Sequence, residues 1–138
     1  MTNFGIAVKA FIVNHNEEVL IIKRSPDDIH KPDVWDIPGG RLNTIDEDPF
    51  EGVKRETLEE VGLEIEIINP LQIKHFTRDD GQKITMIIFL CKPLTFDVKL
   101  SKEHTEYRWI HIDKAKDILS HHFHSEIDAY KERVSPFR

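Results

Sequence analysis

Residues 40–63 read GRLNTIDEDPFEGVKRETLEEVGL and place an acidic run directly after a turn that contains glycine. Glu59 and Glu60 stand three and four residues after Glu56, so on a helix the three carboxylates lie on one face. Neighbouring carboxylates repel one another, and a hard cation such as Mg²⁺, which prefers oxygen ligands, removes that repulsion. An acidic run taken alone is usually a solvated surface, so the flanking residues carry the argument.

The flanking residues predict a helix over Pro49–Val61. Asp48 suits the N-cap, Pro49 suits the first helical position, and Gly62 suits the left-handed residue that often follows a helix. Arg55 precedes Glu59 by four residues, so it can pair with that carboxylate and orient the acidic cluster. The predicted buried side of the helix consists of Phe50, Val53, Thr57, Leu58 and Val61.

The segment resembles the signature of the Nudix hydrolases, which act on nucleoside diphosphates linked to another group. The resemblance extends from Gly40 through Glu47 to the run RETLEEVGL at residues 55–63, and WDIPGG at residues 35–40 adds to it. The chain departs from the family pattern in two ways. Six residues instead of the usual five separate Gly40 from Glu47, and we place the extra residue in the loop. Thr57 stands where the family prefers an aliphatic residue.

The resemblance implies an α+β fold, a Nudix-type α/β/α sandwich with a mixed β-sheet. We expect residues 1–138 to form a single domain, since the chain is too short for two ordinary ones. The pattern predicts strands at 6–13, 18–24, 64–68, 71–77, 83–92 and 106–110, the first two forming a hairpin. Helices are predicted at 49–61, 114–119 and 125–133.

The resemblance also implies a set of site residues. The expected ligands of Mg²⁺, with Mn²⁺ as the alternative ion, are the carboxylates of Glu56, Glu59 and Glu60 and the carbonyl of Gly40. Glu56 is the preferred general base, and Glu103, in a loop nearer the C-terminus, is the alternative. The predicted catalytic set is therefore Glu56, Glu59, Arg55 and Glu103, while Glu47 is expected to hold Arg55 instead of a metal ion.

Three further residues are predicted to bind the substrate. Arg24 and Arg41 suit phosphate because a guanidinium offers a fixed fork of donors. Trp35 is a candidate for stacking on a base, although packing is the equal alternative. Cys91 lies in an apolar strand and is expected to fill the core, and the histidines at 121, 122 and 124 are interpreted as a polar surface.

The composition restricts the classes of molecule that the protein is expected to bind. A net charge of −6 argues against a broad surface for nucleic-acid polymers or anionic membranes. Without an apparent signal segment or a run of about 20 apolar residues, we expect a cytoplasmic protein with no membrane partner. The expected partner is a small nucleotide, and either a monomer or a homodimer is compatible with the sequence.

The preferred function is hydrolysis of a (deoxy)nucleoside triphosphate to the monophosphate and pyrophosphate. An ADP-ribose or other nucleoside diphosphate-sugar pyrophosphatase is the nearest alternative. A non-catalytic nucleotide sensor on the same fold is a second, since fold does not determine function. An isomerase of small prenyl diphosphates ranks lower, because Cys91 has no acidic neighbour in sequence.

Overall fold

The computed structural model describes residues 4–134, which form seven strands and two α-helices. In chain order these are β1 (Phe4–Ile12), β2 (Glu18–Arg24), β3 (Trp35–Asp36), β4 (Gly39–Arg41), α1 (Pro49–Val61), β5 (Ile65–Thr77), β6 (Lys83–Pro93), β7 (His104–His111) and α2 (His124–Val134). Two short 3-10 helices, Ala115–Asp117 and His121–Phe123, lie between β7 and α2. Within the described range neither helix is long and apolar enough to cross a bilayer.

The strands form two sheets. One is a mixed four-stranded sheet in the order β4-β1-β6-β5, in which β1 runs parallel to β6 and antiparallel to β4. The other is an antiparallel three-stranded sheet in the order β3-β2-β7. The predicted α+β fold with a mixed sheet and flanking helices is confirmed.

The mixed sheet is covered on both faces, and β1 shows how this is achieved. Ala7 and Phe11 face a core that includes Ile127 and Tyr130 of α2. The alternate residues Val8, Ala10 and Ile12 face a second core that includes residues of α1. Because successive side chains of a strand point to opposite faces, one apolar strand supplies both cores.

Buried positions in α1 and β6 only partly follow the prediction. Cys91 is fully buried in the second core, as predicted. Val53, Thr57 and Val61 are buried on α1, but Phe50 and Leu58 are 48% and 54% exposed, so their assignment to the buried side is wrong. Gly52 is buried as well, and a Cβ at this position would lie 2.5 Å from Leu42 Cδ2, so the helix packs closely against the loop that precedes it.

The predicted hairpin between the first two strands is wrong. Both strands form, but only a single bridge, between Val13 and Val19, joins the two segments before β2 enters the other sheet. The physical reason is that β4 and β6 occupy both edges of β1. No edge of β1 is therefore left for β2 to pair with along its length.

Two other predicted boundaries also change. The segments predicted at 64–68 and 71–77 form one strand, β5, whose register shifts on either side of Asn69-Pro70. These irregularities and the edge position of β5 accommodate a proline that cannot donate to the ladder. The helix predicted at 114–119 is only the 3-10 turn Ala115–Asp117, whereas α2 forms close to its predicted range.

A buried ion pair ties β1 to the segment that leads into β4. Lys9 Nζ lies 3.3 Å from both carboxylate oxygens of Asp36 and donates to the Ile37 carbonyl at 3.1 Å. Arg24 Nε donates to the same carboxylate at 3.0 Å. Burial opposes ionisation of Asp36, but the charges of Lys9 and Arg24 outweigh it and lower the pKa of Asp36.

Asp36→Ala should therefore destabilise the protein strongly. The substitution leaves Lys9 buried without a counter-charge, which typically costs about 3–5 kcal/mol. Urea unfolding of the variant measures the loss. The double variant Lys9→Met/Asp36→Leu removes both charges and should recover much of the stability. A loss below about 1 kcal/mol in the single variant would contradict this role of the pair.

Candidate active site

Helix α1 begins and ends where its capping residues predict. Asp48 Oδ1 accepts a hydrogen bond from the Phe50 amide at 2.8 Å, and Pro49 occupies the first turn. Gly62 adopts a φ of 70° and donates its amide to the Leu58 carbonyl at 3.0 Å. The helix contacts β1, β4 and β5, so its acidic residues emerge beside Gly39 and Gly40 at the start of β4.

Gly39 and Gly40 contact two of the three predicted carboxylates directly. The Gly39 amide donates to Glu60 Oε1 at 2.8 Å. A Cβ built on Gly40 would lie only 2.5 Å from Glu56 Oε1, so the Glu56 carboxylate packs against the Gly40 backbone. The absence of a side chain at residue 40 is what allows this close approach.

Arg55 organises the remaining acidic groups. Its Nε donates to Glu47 Oε2 at 2.7 Å and its Nη2 donates to Glu47 Oε1 at 3.1 Å. Its Nη1 lies 3.1 Å from both oxygens of Glu59 and 3.5 Å from Glu56 Oε1. Glu47 also accepts from the Asn43 amide at 2.7 Å. Glu47 therefore holds Arg55 and the loop, as expected, and the additional loop residue does not disturb their pairing.

Burial gives two of these carboxylates elevated pKa values. Burial, together with the charges of Glu59 and Glu103, raises the pKa of Glu56 despite the opposing charge of Arg55. Burial also raises the pKa of Glu60 to about 7, although Lys9 and the Gly39 amide oppose the shift. The positive groups of the protein thus compensate the negative charge of Glu56 and Glu60 only in part. An added cation would favour the ionised form of both carboxylates.

The residues present fit a divalent cation such as Mg²⁺. Glu56, Glu59 and Glu60 provide hard oxygen donors, and the backbone approaches closely at Gly40. Among residues 4–134 no group of three or more His, Cys, Asp or Glu side chains is arranged so that it could hold a metal ion by itself. Mg²⁺ seldom relies on protein side chains alone, because it typically takes one or two carboxylates and completes its shell with water and substrate phosphate.

Glu103 lies close enough to interact with the acidic face of α1. The Ser101 amide donates to the Glu60 carbonyl at 2.9 Å, and the Ser25 amide donates to the Glu103 carbonyl at 2.9 Å. These bonds fix the loop beside the end of the helix, where the charge of Glu103 contributes to the raised pKa of Glu56. The structure therefore brings together two residues that are 47 positions apart in the sequence.

A cavity of about 290 Å³ adjoins the acidic face, because Gly39 and Gly40 belong to its wall. Its other lining residues include one carboxylate, Asp79, the polar residues Thr77, His30 and His122, and two larger groups. The cationic ones include Arg24, Lys31, Arg41 and Arg78. The apolar ones are Ala7, Phe76, Ile84 and Met86. A concave site with an apolar floor and a few convergent polar groups is the usual form of a small-molecule site.

The three predicted substrate-binding residues have different positions. Arg24 lines the cavity, but its guanidinium is already bonded to Asp36 and Asp28. Arg41 lines the cavity and donates to Gln82 Oε1 at 2.9 Å, and within the described residues no carboxylate forms an ion pair with it. Trp35 is not part of the cavity wall. Its ring packs against the core and lies 5.0 Å from the Arg108 guanidinium.

Several cavity residues were missed by sequence reasoning. Lys9 and Lys31 line the cavity, as do Phe76 and His122. Lys9 carried a usable signal, since a single charge inside an otherwise apolar strand is rarely buried without a specific partner. His122 packs against Phe76 and Phe123, whereas His124 Nε2 hydrogen-bonds the Leu119 carbonyl at 2.8 Å.

The fold and the signature helix define a Nudix hydrolase. Residues 3–130 match the NUDIX domain, and the chain belongs to the Nudix hydrolase family. It is similar to the "MutT-like protein" of Streptomyces ambofaciens, at 30% identity over 116 residues, covering 84% of this chain and 70% of the relative. Nudix hydrolases typically depend on a divalent metal.

Solved structures show the same relationship. The MutT protein of Methanosarcina mazei Go1 superposes with a TM-score of 0.84 at 31% identity, covering 96% of each chain. The NUDIX domain of Shewanella oneidensis NrtR, in complex with ADP ribose, has a TM-score of 0.74 at 19% identity, covering 94% of this chain and 87% of that one. That second likeness concerns the fold alone. The chain spans less than half the length of four similar Nudix hydrolases of Arabidopsis thaliana.

Gly40→Ala should weaken divalent-metal binding by at least about tenfold. A loss of roughly 1.4 kcal/mol in binding free energy, caused by displacement of one ligand, suffices for that factor. The added Cβ would meet only the flexible end of Glu56, so the carboxylate moves while the backbone keeps its course. Titration of the purified variant with Mn²⁺, followed by electron paramagnetic resonance, measures the effect. The unfolding temperature is the control, and an unchanged metal affinity would refute the contact.

Proposed function

We propose that this Nudix hydrolase cleaves (deoxy)nucleoside triphosphates to the monophosphate and pyrophosphate, with Mg²⁺ or Mn²⁺ as cofactor. The proposal rests on one observation. Gly39 and Gly40 line the cavity and also contact the carboxylates of the acidic face. A nucleotide whose nucleoside enters the cavity would place its phosphates beside the carboxylates of α1. The cavity volume of about 290 Å³ suits one nucleoside better than two.

The acidic residues have distinct parts in this proposal. Glu56, Glu59 and Glu60, with the Gly40 carbonyl, would hold the cation. A bound divalent cation neutralises diphosphate charge and lowers the pKa of the attacking water. Glu56 would accept the proton of that water, because a carboxylate beside the cation is placed to act as general base. Glu103, whose charge acts on Glu56, is the alternative acceptor.

The cationic residues would position the substrate. Arg41 and Lys31 line the cavity, and within the described residues neither has a carboxylate partner at ion-pair distance. Phosphate oxygens would supply the missing counter-charge, and a guanidinium can donate two parallel bonds to them. Arg24 would contribute mainly through Asp36 and Asp28, because its donors are already engaged there. Arg55 would act as a positioning residue through Glu47 and Glu59.

A substrate panel tests the reaction. The purified protein is incubated with Mg²⁺ and with nucleoside triphosphates, deoxynucleoside triphosphates, ADP-ribose or dinucleoside polyphosphates, and products are identified by ³¹P nuclear magnetic resonance. The expected products are a nucleoside monophosphate and pyrophosphate. Release of inorganic phosphate, turnover of ADP-ribose alone, or nucleotide binding without any turnover would each overturn the proposal.

Glu59→Gln should lower kcat by at least roughly 100-fold, which corresponds to about 3 kcal/mol of lost charge stabilisation. The amide keeps the shape of the side chain but removes the negative charge. Steady-state kinetics with the best substrate of the panel measures the effect. Glu51→Gln, on the same helix but 70% exposed at its side chain and paired with Lys54, is the matched control. Near-normal turnover of the Glu59 variant would count against the metal assignment.

A further inference from the structure

Two guanidinium groups at the wall of the cavity share one neutral acceptor. Gln82 Oε1 accepts a hydrogen bond from Arg41 Nη1 at 2.9 Å and another from Arg78 Nη2 at 3.0 Å. Both arginines line the cavity, and Gln82 belongs to the turn that joins β5 to β6. The two nitrogens therefore lie within about 6 Å of each other, where like charges repel. The amide oxygen of Gln82 holds them together against that repulsion.

The turn that carries Gln82 is ordered by its own hydrogen bonds. Arg78 Nε and Nη2 donate to the Asp80 carboxylate at 3.2 Å and 2.6 Å. Asp80 Oδ1 also accepts from the Gln82 amide at 3.1 Å, and the Arg78 amide donates to the Gln82 carbonyl at 2.8 Å. Because the backbone of Gln82 is fixed in this way, its side chain extends toward Arg41 from a defined position.

The guanidinium of Arg41 is also held by the backbone of β1. A Cβ built on Gly5 would lie 1.9 Å from Arg41 Nη2 and 2.5 Å from its Cζ, so the guanidinium packs directly against the Gly5 backbone. The glycine leaves the space that this contact needs. A long side chain that would otherwise sample many rotamers therefore has one orientation, fixed by Gly5 and by Gln82.

The neutrality of Gln82 preserves the positive charge of Arg41. Asp80 compensates the charge of Arg78 at 2.6 Å, but within residues 4–134 no carboxylate forms an ion pair with Arg41. An amide oxygen orients a guanidinium without cancelling its charge, whereas a carboxylate at the same place would do both. The charge of Arg41 therefore stays available to an anion that enters the cavity.

We propose that Gln82 is a positioning residue, which holds the Arg41 guanidinium ready for a phosphate group of the bound nucleotide and leaves its charge uncompensated. The inference rests on the proposed function, because it requires a phosphate-bearing ligand in the cavity. Arg41 directly follows Gly40 in β4, so a phosphate bound to Arg41 stays beside the acidic face. A side chain that is ordered before the ligand arrives loses less entropy on binding, which increases the affinity.

The kinetic test uses Gln82→Met, which keeps the length of the side chain but removes the acceptor. KM for the best triphosphate should rise by about fivefold or more while kcat changes little, because ordering of Arg41 acts on binding. Gln72→Met is the matched control. Gln72 lies on β5 and accepts from Ser125 Oγ at 3.1 Å, so this variant should keep the wild-type KM. An unchanged or lowered KM in Gln82→Met overturns the role.

A double-mutant cycle shows whether Gln82 acts through Arg41. In the Arg41→Ala background, Gln82→Met should raise KM no further, since the group that it positions is absent. An equal rise with and without Arg41 contradicts the inference, because a general disturbance of the turn would have that effect. Gln82→Glu tests the charge argument. It keeps the acceptor but cancels the charge of Arg41, so KM should rise again, and a wild-type KM would refute the need for a neutral group.

Binding without turnover supplies the second readout. A non-hydrolysable triphosphate analogue and the corresponding nucleoside are titrated by isothermal calorimetry in the presence of Mg²⁺, against the wild type and Gln82→Met. Loss of affinity for the analogue alone supports the inference. An equal loss for the nucleoside, or no loss for either ligand, overturns it, since neither result depends on a phosphate group.

The two proposals fail differently. An enzyme that releases pyrophosphate from triphosphates with the same KM in Gln82→Met and the wild type overturns the role of Gln82 and leaves the proposed function intact. A protein that binds the analogue in a Gln82-dependent way but hydrolyses no triphosphate overturns the proposed function and keeps the role of Gln82. A protein that neither binds the analogue nor hydrolyses triphosphates overturns both.

Discussion

The close contact between the two glycines of β4 and α1 is the constraint on which the candidate site depends. The Gly39 amide holds Glu60, and the Glu56 carboxylate rests on Gly40 at a distance that no side chain would permit. These glycines are fixed to β1, because β4 pairs with it and the Ala10 amide donates to the preceding Pro38 carbonyl at 2.8 Å. The position of the acidic face relative to the cavity therefore depends on contacts in which the backbone of Gly39 and Gly40 is one of the two partners.

Charges of opposite sign alternate from the protein interior toward this face. Asp36 is buried between Lys9 and Arg24, and the charge of Lys9 also reaches Glu60. Lys9 thus opposes part of the desolvation that burial imposes on the acidic helix. The balance remains incomplete, since the pKa of Glu60 is still raised to about 7. The buried charges of Lys9, Asp36 and Arg24 neutralise one another, while the acidic face keeps an excess of negative charge that suits a cation.

Sequence reasoning succeeded where the determining interactions are local. Asp48 and Gly62 mark the ends of α1 because caps act within one turn of the helix. The pairing of Arg55 with Glu59 follows in the same way from a spacing of four residues. The apolar strands were also recognisable, although nothing local revealed that β4 and β6 would occupy both edges of β1.

The cavity was not predictable, because its wall combines segments that are far apart in the sequence. Lys9, Lys31, Phe76 and His122 meet only after both sheets have formed and α2 has packed. Each of these residues has an ordinary interpretation when considered alone. Trp35 illustrates the converse, since an aromatic residue next to the signature suggested stacking, yet its position on β3 places it against the core and Arg108.

The burial of Cys91 has a practical consequence. It is the sole cysteine of the sequence, its side chain is fully enclosed, and burial raises the pKa of its thiol to about 12. At physiological pH almost none of this thiol is ionised, so electrophilic reagents that require a thiolate do not modify it. A cysteine introduced at a chosen surface position would consequently be the one reactive thiol of the folded protein, so fluorophores or spin labels could be attached there without first removing the natural residue.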